Sequence, residues 1–235
     1  MVIAMLIRAE FEKLEEIKYI SHLELMTTFR RAFRRAKLPL AYSKGFNPHI
    51  QLALAQPLKV GMVGWKEYFD LQLNQKMEIK DFISLVNQEL PPGLKINKAV
   101  SIAEDSKALM ATINTARYIF SMVFKQENIA EEDLLNRFLA EEEIRVRRER
   151  VKKGDIEINI RPMIQRAQII GPGKWLFQVE SGSERNLRPE EISRALADFS
   201  PDVAYVPIVN IVREGLYVKV KEELYSPLDE KIVGR

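Results

Sequence analysis

The residue types best suited to chemistry lie together between positions 41 and 49, in the string AYSKGFNPH. Gly45 tolerates a positive φ, which lets neighbouring backbone N–H groups face an anion. Tyr42 and Phe46 carry flat rings of the kind that stack on nucleobases. The string therefore predicts a nucleic-acid-binding loop, to which Lys44, Gly45 and Asn47 also contribute. The alternative is a tight connection whose aromatic rings, Phe46 among them, pack against the core.

The chain has two histidines, His22 and His49. Because an imidazole titrates near neutral pH, the two are candidate catalytic residues, an acid–base pair for an RNA-acting enzyme. The alternative for His49 is a structural hydrogen bond. Two histidines with no carboxylate placed beside them by the sequence do not complete a metal shell, so we expect no metal and no cofactor.

Charge is distributed unevenly along the chain. Lys and Arg (36) exceed Asp and Glu (33) by only three, yet no Asp or Glu occurs between Leu25 and Lys66. Within this stretch four arginines fall on one side of a predicted helix: Arg30, Arg31, Arg34 and Arg35. An uncompensated basic surface attracts polyanions such as RNA. The alternative is a solvated helix face whose arginines pair with acids from elsewhere in the fold.

A second basic run begins at Arg145 and ends at Lys153, with Glu149 as its one acid. We expect Arg147 of this run to contribute to nucleic-acid binding. Arg161 is a further candidate, because a guanidinium can hold a phosphate through two parallel hydrogen bonds. Three consecutive glutamates, at positions 141–143, lie just before the run. Intramolecular pairing is therefore the alternative for these arginines.

Hydrophobic periodicity predicts the elements that position these residues. Residues 21–37 predict a helix, because Ser21 and Glu24 have capping-box spacing and apolar residues recur every three or four positions. With its neighbours this helix gives the order β-α-β-β-α-β over residues 1–103, the split βαβ or ferredoxin-like pattern. After a junction at 104–115, residues 116–222 nearly repeat the order, and residues 223–235 form a polar, mobile tail. The predicted fold class is α+β, with two ferredoxin-like units in tandem and an extra hairpin in the second.

Composition and missing motifs exclude several classes of protein. Because it has no cysteine, the chain has no disulfide, no cysteine zinc site and no iron–sulfur cluster. It also lacks GxxxxGK[ST], GxGxxG, HExxH and GxSxG. No apolar run approaches the ~18 residues of a membrane span, and the apolar start lacks the basic region of a signal peptide. We therefore expect a cytoplasmic protein with no membrane partner.

Between positions 19 and 61 the chain carries, in order, the strings SHL, RA, RRA, LP, YS, GFNPH and PLxxG. This arrangement resembles the signature of the radical-SAM-associated domain-of-unknown-function family. The sequence departs from that signature at Glu24, where Asp is usual, and at Ile50, where Pro is usual. Neither change removes a candidate side chain.

The resemblance implies a protein that occurs alone or as the C-terminal part of a larger radical-SAM protein with a cobalamin-binding region. It also implies genes that neighbour those for a ribonuclease and for large-subunit ribosomal proteins. Because this chain has no cysteine to hold a cluster, the resemblance leads us to expect the stand-alone form, without the radical-SAM or cobalamin part.

Three functional hypotheses follow. The preferred one is an RNA-binding accessory protein for RNA processing, modification or ribosome-related work, with tRNA or rRNA as its partner; whether it catalyses a reaction is left open by the sequence. The second is an RNA-acting enzyme that uses His22 and His49. The third is a docking partner of a separate radical-SAM enzyme, which predicts an exposed apolar patch.

Overall fold

The computed structural model describes residues 4–149 and 154–233. The strands are β1 (Met5–Lys13), β2 (Leu52–Leu54), β3 (Val63–Leu73), β4 (Leu94–Ile102), β5 (Thr115–Ser121), β6 (Arg145–Arg148), β7 (Ile156–Asn159), β8 (Ile164–Gly171), β9 (Lys174–Glu180), β10 (Ile211–Val220) and β11 (Glu223–Tyr225). The α-helices are α1 (His22–Arg35), α2 (Ile79–Glu89), α3 (Leu109–Thr112), α4 (Glu131–Ala140), α5 (Pro189–Phe199) and α6 (Glu230–Val233). The predicted mixture of α and β structure is confirmed. No helix within these ranges is long and apolar enough to span a lipid bilayer.

The chain packs into two compact units. The first combines residues 4–114 with residues 215–233, and the second is Thr115–Glu214. The segment expected to be a polar, mobile tail supplies β11 and α6 to the first unit, and its Ile232 is buried. The segment packs onto the first unit because its last short helix, α6, carries the apolar side chain of Ile232. These packing units differ from the domains expected at 1–103 and 116–222, which stay a prediction.

In the first unit, four strands are joined in the order β4-β1-β3-β2, and every neighbouring pair is antiparallel. The elements follow one another along the chain as β1-α1-β2-β3-α2-β4. Side chains alternate along β1, so that Ile7, Ala9 and Phe11 join one core with the apolar faces of α1 and α2. The inward side chains of the strands and the apolar faces of the two helices therefore form a single buried layer.

The start of α1 is fixed by the predicted capping box. The Ser21 backbone N–H donates to Glu24 Oε2 at 2.7 Å, and the Glu24 backbone N–H donates to Ser21 Oγ at 3.3 Å. The first of these bonds stabilises the charged carboxylate and lowers the pKa of Glu24 below its ordinary value. The capping box satisfies donors that would otherwise lack partners in the first helical turn.

The end of α1 is a Schellman motif. The Leu38 N–H donates to Phe33 O at 3.2 Å and the Lys37 N–H donates to Arg34 O at 3.0 Å. Lys37 occupies the position where the chain turns left-handed, with a φ of 54°. Glycine is the usual residue there because a Cβ is strained at positive φ. The helix therefore ends at Arg35, four residues before Pro39, by its own hydrogen bonding.

Replacing Lys37 by glycine should stabilise the protein. Lys37→Gly removes the strained Cβ and should raise the free energy of unfolding by about 1 kcal/mol in urea titrations. Lys37→Ala removes the same charge but keeps the Cβ, so it should leave stability nearly unchanged. A glycine variant no more stable than the alanine variant would contradict the assignment of strain to this residue.

The second unit contains the antiparallel order β8-β9-β5 and a separate antiparallel hairpin of β6 and β7. Aromatic side chains of β5 and β9 fill its core, with the rings of Phe120 and Phe177 in an edge-to-face contact at 5.2 Å. The first strand of this hairpin, β6, is the start of the second basic run. Arg150, Lys152 and Lys153 of that run lie outside the described residues.

Candidate nucleic-acid interface

The loop at residues 43–49 is closed at its base and open at its tip. Tyr42 and Ile50 form an antiparallel bridge below it. Above the bridge, the Ser43 N–H donates to His49 O at 2.8 Å and the His49 N–H donates to Ser43 Oγ at 3.0 Å. Gly45 has a φ of 127°, a conformation that side-chain-bearing residues rarely adopt. The loop is thus a short hairpin whose turn requires the predicted glycine.

Phe46 at the tip of this hairpin is fully exposed, and Tyr42 at its base is 44 % exposed. The alternative in which Phe46 packs against the core is therefore wrong. Phe46 is exposed because the loop leaves the sheet at the bridge between Tyr42 and Ile50. The tip of the loop lies beyond that bridge. Lys44, Asn47 and His49 are exposed on the same loop.

The four arginines of α1 differ in their surroundings. Arg31 and Arg34 are exposed and have no ion pair among the described residues. Arg35 donates from Nε to Glu89 Oε2 of α2 at 2.8 Å and from Nη2 to the Glu89 carbonyl. Arg30 is half-buried, and its Nε is enclosed with no acceptor in the described part of the chain. The alternative in which these arginines pair with acids from elsewhere in the fold therefore holds for Arg35. Its partner, Glu89, was not singled out from the sequence.

The end of α1 and the aromatic loop lie at the same end of β3. After α1, Pro39 O accepts from the Asn74 N–H at 2.8 Å, and Leu40 bridges to Leu73. On the other side of the loop, Gln51 O accepts from the Gln72 N–H at 3.0 Å. Both segments are therefore anchored at or just after the last residues of β3. This brings the basic helical turn, which is the last turn of α1 with Arg31 and Arg34, and the loop to a common end of the sheet.

The two histidines are not brought together. His22 begins α1 and lines a narrow cleft with Ala55 and Gln56, whereas His49 lies at the loop, before β2. Five residues of largely extended chain lie between His49 and Ala55, so the two are separated by roughly 15–20 Å. The described residues contain no group of three His, Asp or Glu side chains that could hold a metal ion.

Sequence reasoning missed the charged side chains around His22. Lys13 and Glu67 line the same cleft and are buried, at 1 % and 3 % exposure. Lys13 Nζ donates to Lys18 O at 2.9 Å and to Ile20 O at 3.0 Å, which ties the segment before α1 to the sheet. The available signal was strand alternation, because Lys13 follows Ile7, Ala9 and Phe11 on the inward face of β1.

A second buried charge links β1 to β3. Arg8 is 1 % exposed, and it donates from Nε and Nη2 to the two carboxylate oxygens of Asp70 at 2.8 and 2.9 Å and from Nη2 to Lys107 O at 2.9 Å. Two residues further along β1, the buried Tyr68 hydroxyl donates to Glu10 Oε2 at 2.8 Å. Burial raises the pKa of Tyr68 far above its ordinary value. These cross-strand pairs satisfy polar groups that would be costly to bury alone.

Removing the carboxylate partner of Arg8 should destabilise the fold. Asp70→Asn leaves a buried guanidinium without its counter-charge, so the free energy of unfolding should fall by about 3 kcal/mol. The combined change Arg8→Met with Asp70→Leu should recover much of that loss, whereas the exposed control Asp105→Asn should shift stability by less than about 0.5 kcal/mol. Urea titration measures all three. A loss below about 1 kcal/mol for Asp70→Asn would contradict the account.

The two arginines predicted in the second unit are engaged within that unit. Arg147 Nε donates to Asp155 Oδ2 at 2.7 Å, and Arg161 Nε donates to Leu139 O at 2.9 Å. The neighbours of Arg147 are paired as well, Arg145 with Glu143 and Glu157, and Arg148 with Glu191. Glu143 is one of the three glutamates named as the alternative partners. The described part of this basic run is therefore largely neutralised by acids of its own unit.

Together the fold and these side chains define a two-unit α/β protein whose first unit presents a basic helical turn and an exposed aromatic loop. The chain belongs to the family described as "Uncharacterized protein conserved in bacteria (DUF2344)", whose model matches residues 6–189. The match includes both segments of the candidate interface. No curated protein matches the chain.

Proposed function

We propose that this protein binds RNA through α1 and the 43–49 loop, as an accessory factor. One observation carries the proposal: Phe46 is fully exposed on a loop that also exposes Lys44 and Asn47. An exposed aromatic ring beside cations is the combination that stacks on bases while the cations hold phosphates.

The positive charge of α1 also supports RNA as the ligand. Arg31 and Arg34 are exposed with no carboxylate partner among the described residues, so their charge is available to an incoming polyanion. Binding of phosphates by such groups releases counterions and weakens as salt rises.

Our proposal for the cellular role of this protein rests on the resemblance of its sequence to the radical-SAM-associated family. We propose RNA processing, modification or ribosome-related work in the cytoplasm, with tRNA or rRNA as the ligand, in association with radical-SAM chemistry performed by another protein. A cysteine-free chain is suited to an accessory role because it holds no cluster itself. We do not propose the acid–base enzyme, since His22 and His49 lie at different ends of the first unit's sheet.

We also propose that both units have the ferredoxin-like arrangement. The order β4-β1-β3-β2 with all pairs antiparallel supports this in the first unit. In the second unit the support is the antiparallel order β5-β9-β8, which corresponds to three of the four strands, with β6 and β7 as the extra hairpin. Fold alone does not determine function, so the RNA proposal stands on the site.

Reversing the two unpaired charges of α1 should weaken RNA binding. For Arg31→Glu with Arg34→Glu, fluorescence anisotropy with bulk tRNA at about 50 mM salt should show an affinity at least tenfold lower. The slope of log K against log salt should also fall by about two phosphate contacts, at roughly 0.7–0.9 each.

The matched control is Lys95→Glu with Lys98→Glu on the exposed side of β4, which changes net charge by the same amount. This pair should keep most of the affinity. An equal loss in both double variants, or no binding of tRNA by the unaltered protein at low salt, would contradict the proposed interface.

A second candidate function, docking to a separate radical-SAM enzyme, is favoured by exposed apolar side chains near the start of α1. Tyr19, Leu23 and Val60 are 65 %, 76 % and 53 % exposed. The Gly61 N–H donates to Lys18 O at 2.9 Å, which brings the neighbours of Tyr19 and Val60 together. If this surface docks the enzyme, Leu23→Asp should abolish co-purification with it, whereas Leu85→Asp on α2 should not.

A further inference from the structure

Phe46 has a position that no other phenylalanine of this chain shares. The sequence contains eleven, and the other ten are buried or half-buried. Two hydrogen bonds between Ser43 and His49 close the loop below it, at 2.8 and 3.0 Å. The positive φ of Gly45 turns the chain immediately before the ring. The ring is thus held away from the core by a defined hairpin.

A ring presented in this way needs a ligand with an uncovered flat face. In an RNA duplex each base face is covered by its neighbours, and the deep, narrow major groove excludes side chains. Unpaired nucleotides in loops, bulges and single strands have free faces, and these stack on aromatic side chains. The geometry of Phe46 therefore distinguishes between two classes of RNA.

We infer that the 43–49 loop binds unpaired nucleotides of RNA, with one base stacked on Phe46. This inference rests on the proposed function and names its substrate class. Lys44 and Asn47 flank the ring and are exposed. The ammonium group of Lys44 suits the phosphate beside the stacked base, and the Asn47 amide suits a base edge. Tyr42, partly exposed at the base of the hairpin, offers a second ring for the next base.

The chemistry around the loop favours RNA over a protein partner. No Asp or Glu occurs from Leu25 to Lys66, so the chain on both sides of the ring is basic or neutral. A phosphate backbone complements that charge along its whole length, in addition to the stacking contact. Arg31 and Arg34 lie in the preceding helix, whose end is anchored at the same end of β3 as the loop.

The test compares three RNA probes at constant salt. They are a strand of about 12 nucleotides, the same strand annealed to its complement, and that duplex with a short bulge. Fluorescence anisotropy gives the affinity of each probe for the full chain. We expect the strand and the bulged duplex to bind at least about tenfold more tightly than the closed duplex.

Three variants assign this preference to the ring. Phe46→Ala should lower affinity for the strand and the bulge about tenfold and leave the closed duplex unchanged. Phe46→Trp keeps a stacking face and should bind the strand as tightly as the unaltered protein. Leu85→Ala, an exposed apolar side chain on α2, should change nothing. Because Phe46 makes no core contact, circular dichroism should show all three variants folded.

The failure of this inference can be distinguished from the failure of the proposed function. Equal affinity for the strand and the closed duplex, with no effect of Phe46→Ala, would overturn the inference and leave RNA binding standing. Equal losses on every probe with Phe46→Ala would also overturn it, because stacking on a free base would not be the cause. No binding of any probe at about 50 mM salt would overturn both the inference and the proposed function.

Discussion

The packing of two phenylalanines of α1 against the sheet determines how the rest of the candidate interface is presented. The ring of Phe29 lies 4.9 Å from the rings of both Phe11 and Phe69, and Phe33 lies 5.7 Å from Phe69. Aromatic pairs in these edge-on and tilted arrangements add to the stabilisation from buried area. With Phe29 and Phe33 facing inward, the rotation of α1 about its own axis is fixed.

That rotation assigns the four arginines to different environments. At 100° per residue, Arg31 and Arg34 point almost directly away from the buried stripe, whereas Arg30 and Arg35 lie on its two flanks. The observed burial follows this geometry. Arg31 and Arg34 are exposed, Arg30 is half-buried, and Arg35 reaches across to Glu89. The hydrophobic core thus selects which cations remain available to a polyanion.

Local patterns predicted the features that depend on neighbouring residues. The capping box at Ser21 and Glu24, the buried stripe of α1 and the order of elements in the first unit are all present. Each depends on residues a few positions apart, where spacing reports directly on geometry. The glycine turn at position 45 was predictable for the same reason, since its backbone conformation is a local requirement.

Features that depend on distant residues were not predictable. Arg35 and Glu89 are far apart in sequence, and only the packing of α1 beside α2 makes them partners. The exposure of Phe46 depends on the bridge between Tyr42 and Ile50, which decides where the sheet ends. For Arg161, backbone carbonyls accept its hydrogen bonds, and the sequence gives no signal of carbonyl positions. Which candidate residues share a surface was therefore a question for the structure.

Ultraviolet crosslinking to total bacterial RNA, followed by tryptic digestion and mass spectrometry, tests the central claim most directly. Cleavage after Lys44 and Lys59 releases residues 45–59 as one peptide that contains Phe46. We predict that this peptide carries the main RNA adduct. Adducts confined to peptides of the second unit, or to the peptide containing His22, would contradict the account.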